Sequence, residues 1–321
     1  MSRVLITGTA GFVGRHLLGR LLSEGLDGSP VSEIVALDRA SDDLPDDPRL
    51  RRLTGSIIDP SVLDRALSEP VQTIFHLASV PGGAAEKDPD LGQSVNLQAT
   101  MDLLTRLRQQ GDMPRLVFAS TVAVYGDPLP AVVDEQTPAL PALSYGAHKL
   151  ASEILIADAA RRGWVQACSL RLPGVVARPG ESTGLVSAFM SELFWRLRAG
   201  QPVVLPVSPE GTAWWISVDT CVDNILHAVR VDSEATGPRR VVQMPALHLR
   251  MDEVVQALAD LHGSDRLELA SYAPQQAVQR LFASYPPLHT PIAESLGFRH
   301  DGDVATLVRK ATQQVEATDR T

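Results

Sequence analysis

Tyr145 and Lys149 stand four residues apart in the stretch Ser144-Tyr-Gly-Ala-His-Lys149, which reads as the start of a helix running to about Arg162. That spacing puts both side chains on one helical face. A free tyrosine has a pKa near ~10 and is a poor base at neutral pH. A lysine ammonium beside it favours the phenolate, which can then take the proton of an alcohol. A third group with suitable chemistry, Thr121, ends the apolar run Arg115-Leu-Val-Phe-Ala-Ser-Thr121. Its hydroxyl could hold a substrate oxygen near Tyr145. Any YxxxK pair occurs often by chance, so its meaning depends on what else the chain places nearby.

The first strand and its loop supply that context. Val4-Leu-Ile6 is a short apolar strand, glycines follow at 8, 11 and 14, and a helix begins at about Phe12 with Leu17, Leu18, Leu21 and Leu22 on one face. Gly8 permits a tight turn, Gly11 lets backbone approach a pyrophosphate, and Gly14 lets helix pack on strand. The helix N-terminus offers N–H groups and positive potential to phosphates. One unit later, the strand Glu33-Ile-Val-Ala-Leu-Asp38 finishes on an acid placed for ribose hydroxyls. This favours NAD over NADP, because the carboxylate would repel a 2′-phosphate. Arg39, the next residue, could instead pair with that phosphate. A strand read over Leu53–Asp59 puts Ile58 against an adenine and Asp59 at its amino group; with Pro60 following, Asp59 also fits a helix N-cap. The apolar strand 71–77 enters His76-Leu77-Ala78-Ser79, the kind of strand end where cofactor and substrate meet. Ala78 is small enough to lie beside a dinucleotide, Ser79 is placed to reach a substrate, and His76 reads as structural. A helix over 90–110 carries Asn96, and 127–143 reads as a Pro-rich loop.

Composition narrows the remaining classes. A net charge of −9 with no basic stripe argues against nucleic acid as a main partner. Cys168 and Cys221 make no metal or redox motif, and buried thiols are the simpler reading. The first strand begins at residue 3, and no apolar run reaches membrane-spanning length. The expectation is a cytoplasmic enzyme with a small-molecule substrate, no metal and no membrane partner.

TGTAGFVG, Asp38, HLAS, Asn96, the Ser120-Thr121 strand end with VYG after it, YGAHK and RLPGVVARPG occur in order over most of the chain. Together they resemble an extended short-chain dehydrogenase/reductase, of the NAD-dependent epimerase/dehydratase group. The resemblance implies Thr121, Tyr145 and Lys149 as catalytic triad, with Lys149 also on the nicotinamide ribose. It implies Phe12 and Val13 in the phosphate loop, and Leu77, Ala78, Asn96 and Pro173 lining the cofactor. It also implies a homodimer built on the helices near 90–110 and 144–162. Sugar-nucleotide epimerases of the group usually carry Asn where this chain has Gly174. HLASVPGGAAE, Leu129-Pro-Ala-Val-Val and Trp214-Trp215 look instead like the branch that oxidises the 2-hydroxyl of a four-carbon aldonate to a 2-oxo acid. Gly174 also stands where that branch leads us to expect a larger residue, which could open the pocket to a different or longer acid.

An aldonate carboxylate needs a cation or several donors. Arg178 is the first candidate, and Ser79, Thr183 and Trp215 could face the substrate, although core filling suits both tryptophans as well. The fold expected is α/β: a Rossmann-type doubly wound parallel sheet with a smaller C-terminal substrate-capping lobe. The boundaries read as 1–174 for the NAD-binding domain, with 215–245 returning to it, and 175–214 plus 246–321 for the lobe. Alternatives on the same scaffold are a uronate dehydrogenase or a nucleotide-sugar epimerase/dehydratase. A non-enzymatic nucleotide sensor would have no need of the Thr121/Tyr145/Lys149 set.

Overall fold

A computed structural model describes residues 2–41, 43–180 and 186–318. In chain order the strands are β1 (Arg3–Thr7), β2 (Glu33–Asp38), β3 (Leu50–Thr54), β4 (Thr73–His76), β5 (Arg115–Thr121), β6 (Val133–Asp134), β7 (Gln166–Leu172), β8 (Gly174–Val176), β9 (Val203–Leu205), β10 (Thr212–Ser217), β11 (Val241–Gln243), β12 (Leu247–Arg250), β13 (Ala270–Tyr272) and β14 (Leu288–His289). The helices used below are α1 (Phe12–Glu24), α2 (Pro60–Ala66), α3 (Gly82–Lys87), α4 (Pro89–Gln93), α5 (Ala99–Gln110), α6 (Ser144–Arg161), α7 (Phe189–Arg198), α8 (Val218–His227) and α9 (Met251–His262). The chain divides into two compact units. The first comprises Met1–Gly126, Ala139–Arg171 and Val222–Gln243, and the second Asp127–Pro138, Leu172–Cys221 and Met244–Thr321.

The first unit is built on a seven-stranded sheet in the order β11-β7-β5-β4-β1-β2-β3, in which β1 runs parallel to β2 and β4, β2 to β3, β4 to β5 and β7 to β11. β1 is buried along its whole length, as a central parallel strand covered on both faces must be. The order reverses between β1 and β4. Crossovers leave in opposite directions there, so the carboxyl ends of those two strands open a crevice. Gly8 follows β1 and Leu77 follows β4, so both lie at that point. α1 buries Phe12, Leu17, Leu18 and Leu21. Leu103, Leu104 and Leu107 of α5 join Phe118 and Ile156 in one apolar cluster.

Some sequence boundaries move. The third strand is Leu50–Thr54 rather than 53–59, and the chain turns at Gly55 to let Asp59 cap α2. The helix over 90–110 is interrupted by a π-turn at Ser94–Gln98.

The second unit packs α7, α9 and the C-terminal helix Val304–Thr318 around Leu193, Phe194, Trp215, Val254, Leu258 and Leu307. Its sheets are small: β12-β10-β8, β13-β9 and β14-β6. The stretch 127–143, read as a loop, supplies β6 to this unit. Among the described residues no helix is long and apolar enough to cross a membrane.

Candidate active site

The glycine loop after β1 has the shape of a cradle that side chains would fill. Gly8 has φ +78°, and a Cβ there would lie 2.7 Å from the Ala78 amide nitrogen. A Cβ on Gly14 would lie 2.2 Å from the Gly8 carbonyl oxygen and 2.8 Å from that of Thr9. No side chain caps α1 at Gly11, and its first turn has no acid, so the helix end presents its positive pole to an anion. Val13 is half-buried behind Phe12. Asp38, at the end of the neighbouring β2, accepts hydrogen bonds from the N–H of Ala10 (2.9 Å) and of Arg39 (2.7 Å). Its carboxylate therefore lies against the glycine loop, while the Arg39 side chain is exposed. Ile58 presents an exposed apolar side chain beside Asp59. Asp59 caps α2 through the Ser61 N–H (2.9 Å), and its bonds to Ser61 hold its carboxyl below the usual range. This set fits a bound dinucleotide: small residues where backbone must approach, a helix pole for the pyrophosphate and an acid for the ribose.

Tyr145 and Lys149 stand in the first turns of α6, and Lys149 reaches the end of β5, where Thr121 is the last residue. Lys149 is fully buried. Its Nζ donates to the carbonyl of Ala119 (2.8 Å), two residues before Thr121. The ammonium lies 4.5 Å from the centroid of the Phe118 ring and 5.9 Å from that of Tyr145. Burial pulls the Lys149 pKa down to about 7, against the pull of the Glu153 carboxylate. The Thr121 hydroxyl accepts from the Ala123 N–H (3.2 Å), which ends the strand in a short 3-10 turn. Tyr145 is half-buried in the first turn of α6. A lysine charge held near a tyrosine ring at a strand end can stabilise a phenolate and so support proton abstraction from an alcohol.

His76 takes the structural role expected of it. Its ring nitrogens bond the hydroxyls of Thr7 (2.7 Å) and Thr100 (3.0 Å). Burial, with Lys149 adding to it, lowers its pKa to about 3, so the ring stays neutral.

A second layer holds this group. Within it Arg171 is the packed structural residue its sequence position suggests, while its partner Glu153 is absent from the sequence reading. Glu153, one helical turn after Lys149, accepts from the Ser120 hydroxyl and from Arg171 Nε (3.0 Å) and a terminal guanidinium nitrogen (2.7 Å). Both ion-pair side chains are 3 % exposed. The guanidinium lies 5.1 Å from the Tyr125 ring centroid. Glu153 thus ties β5, α6 and β7 together immediately behind Thr121 and Lys149. The four-residue step from Lys149 to Glu153 was the available signal, since it marks a second charge on the same buried helical face.

Asn96 sits in the π-turn, a distortion often found near functional sites. Its amide oxygen accepts from the Val80 N–H (2.7 Å) and its amide nitrogen donates to the Val80 carbonyl (3.0 Å). Both ends of the side chain thus clamp the loop after β4. Leu77 and Ala78 are half-buried at that strand end, and Ser79 is exposed.

Within the second unit, Pro173 is buried. Arg178 has its backbone fixed by α7: its N–H donates to the Ser191 hydroxyl (3.0 Å), and its carbonyl accepts from the Trp195 indole. Thr183 lies outside the described residues. Trp215 corrects an expectation. It is fully enclosed, donates its indole N–H to the Leu249 carbonyl (3.3 Å), and packs with Phe194 in the core, so it faces no substrate. Trp214 is likewise enclosed, stacked on Tyr285. Gly174 corrects another. A Cβ there would lie 2.8 Å from both the Met190 methyl and the Trp214 carbonyl oxygen, so this glycine admits a close strand approach and opens no space.

A profile of the NAD dependent epimerase/dehydratase family matches residues 4–242. The chain belongs to this family. Its cofactor is accordingly NAD, and it is an oxidoreductase. It is 36 % identical over 312 residues to D-erythronate dehydrogenase of Cupriavidus necator, covering 95 % of this chain and 96 % of that one. It is 30 % identical over 310 residues to D-erythronate dehydrogenase of Haemophilus influenzae, covering 96 % and 98 %. Among solved structures, the nucleoside-diphosphate-sugar epimerase of Agrobacterium tumefaciens is similar at a TM-score of 0.89 and 30 % identity, covering 96 % of this chain and 92 % of that one.

Proposed function

We propose that this protein oxidises the 2-hydroxyl of a small sugar acid, a D-erythronate-like aldonate, to the 2-oxo acid with NAD. The single observation that carries the chemistry is the buried Lys149 ammonium, held on the Ala119 carbonyl beside the Tyr145 ring at the end of β5. The substrate class rests on likeness along nearly the full chain to two D-erythronate dehydrogenases.

In this reading Gly8, Gly11, Phe12, Val13 and Gly14 hold the pyrophosphate. Asp38 holds the adenosine ribose, Ile58 and Asp59 the adenine, Leu77, Ala78 and Pro173 the dinucleotide's flank, and Lys149 the nicotinamide ribose. Bound NAD supplies the hydride acceptor. Thr121 donates to or accepts from the substrate 2-oxygen and holds it near Tyr145. The Tyr145 phenolate, stabilised by the Lys149 ammonium, takes the hydroxyl proton as the C2 hydride departs. The C2–H and O–H bonds break, the C2=O double bond forms, and one proton is left on Tyr145. Ser79 contacts the substrate, and Arg178 is the cation assigned to its carboxylate.

The second reading is a nucleotide-sugar epimerase, supported by likeness to the nucleoside-diphosphate-sugar epimerase of Agrobacterium tumefaciens. The position at which such epimerases usually carry Asn is Gly174 here, so the side chain they use there is missing, which counts against a nucleotide sugar. The deciding experiment is NADH formation by purified protein on D-erythronate, L-threonate, longer aldonates, a uronate and UDP-sugars, repeated with Tyr145→Phe. Turnover on a four-carbon aldonate that Tyr145→Phe abolishes is expected. Silence on every acid with turnover of a nucleotide sugar overturns the proposal, and full activity of Tyr145→Phe overturns the assignment of the base.

A further inference from the structure

The helix that carries Tyr145 and Lys149 does not cap itself. Leu143, at the N-cap of α6, makes no side-chain bond, and the first turn contains no acid. The missing acceptor comes from another element. Glu86, on α3, accepts the Ser144 N–H at 2.6 Å. One turn earlier on α3, Gly82 faces the neighbouring residue: a Cβ at 82 would sit 3.7 Å from the Tyr145 Cβ and 3.9 Å from its ring. A carboxylate and a bare backbone, four residues apart, thus meet Ser144 and Tyr145 together.

α3 is itself firmly held. Val80, just before it, is clamped at both backbone groups by Asn96. Ala85 is fully buried, and its Cβ lies 2.9 Å from where a Cβ on Gly92 of α4 would stand. The circuit closes on the helix it serves, because the Ser152 hydroxyl of α6 donates to the Asn96 carbonyl (3.1 Å). VPGGAAE is therefore packed against the first turn of α6, through Gly82 at Tyr145 and Glu86 at Ser144.

We propose that α3 is a fixed brace for Tyr145 and that Glu86 is a positioning residue, acting through the first turn of α6 on where the phenol oxygen stands. This rests on the reading of Tyr145 as base. Glu86 is exposed and carries a negative charge, which would oppose phenolate formation. Its contribution is therefore the hydrogen bond and the helix it fixes, and a neutral acceptor of the same reach serves as well.

The test compares wild type, Glu86→Ala and Glu86→Gln in the full chain. Amide exchange by mass spectrometry is read on NAD-free protein over residues 144–149, and kcat and both KM values are read with D-erythronate and NAD. A lost cap loosens a first helical turn by about fivefold to tenfold. Glu86→Ala is expected to speed exchange in that turn and lower kcat by about that factor, with KM for NAD unchanged and exchange at β1 and α1 unaltered. Glu86→Gln restores both. Unchanged exchange in Glu86→Ala, unchanged kcat, or a Gln variant as impaired as the Ala variant each overturns the brace. If the wild type oxidises no acid, the proposed function falls, and exchange over 144–149 alone decides the brace.

Discussion

Replacing Lys149 with Met should make the NAD-free protein more stable near neutral pH while destroying turnover, and the gain should fade as pH rises. The ammonium is buried with one hydrogen bond, to Ala119, and the face of Phe118. Burial lowers its pKa from 10.5 to about 7. Below pH 7 both folded and unfolded chains hold the proton, so the full cost of burying the charge is present. Above pH 7 the folded chain releases the proton and the unfolded chain keeps it until about pH 10.5, so wild-type stability rises with pH. At about 1.4 kcal/mol per pH unit, the rise between pH 7 and 9.5 reaches about 3 kcal/mol. Met fills a similar volume without charge, and it removes the hydrogen bond to the Ala119 carbonyl at a cost of about 1 kcal/mol. His76, whose pKa is near 3, stays neutral in the folded state across this window. The variant-minus-wild-type difference therefore isolates Lys149. The assay is urea denaturation of both proteins without NAD at pH 6, 7.5 and 9.5. Lys149→Met should lead clearly at pH 6 and lose about 3 kcal/mol of that lead by pH 9.5. A difference that stays flat with pH refutes the argument, since the lysine would then titrate alike in folded and unfolded chains.

Other perturbations follow from the same geometry. Glu153→Gln strands the buried Arg171 guanidinium and should cost about 3–5 kcal/mol by denaturant unfolding, whereas Glu153→Gln with Arg171→Met should recover most of it. Gly14→Ala drives a methyl into the Gly8 carbonyl, so a stability loss of about 1–3 kcal/mol and at least about tenfold weaker NAD binding by calorimetry are expected. Asp38→Ala removes the carboxylate beside the glycine loop, and the preference for NAD over NADP, read as the ratio of kcat/KM values, should fall by about 10- to 100-fold.

What could be read in advance was local. β1, the glycines at 8, 11 and 14, Asp38 at a strand end and the Tyr145/Lys149 step each rest on residues within one turn or one strand of each other. The third strand was displaced because β3 is an edge strand paired only with β2, and two of its five residues are Arg51 and Arg52. Its apolar signature was weak, and buried Ile57 beyond it drew the boundary along the chain. The π-turn at Asn96 leaves no mark in composition, because it changes hydrogen bonding without changing the helical pattern. Glu153 and Arg171 meet across 18 residues, so neither predicts the other from spacing.

The two corrected residues of the second unit share one cause. Gly174 and Trp215 are register partners in the parallel pairing of β8 with β10. Each was read alone: the glycine as a missing side chain and therefore space, the tryptophan as a ring that could face the substrate or equally fill the core. Once the strands pair, the glycine is where β10 comes within reach of the backbone, at the Trp214 carbonyl, and the tryptophan ring turns into the core beside Phe194. A Gly174→Thr exchange, which the sequence alone would suggest as a pocket adjustment, instead sets a Cβ 2.8 Å from a backbone oxygen of the adjacent strand. That oxygen cannot yield as a flexible side chain could, so the strand pair must part. The exchange should therefore lower the unfolding midpoint, by overpacking of about 1–3 kcal/mol, before it changes which acid is oxidised. A variant with wild-type stability and altered acid preference would show that residue 174 borders the substrate after all.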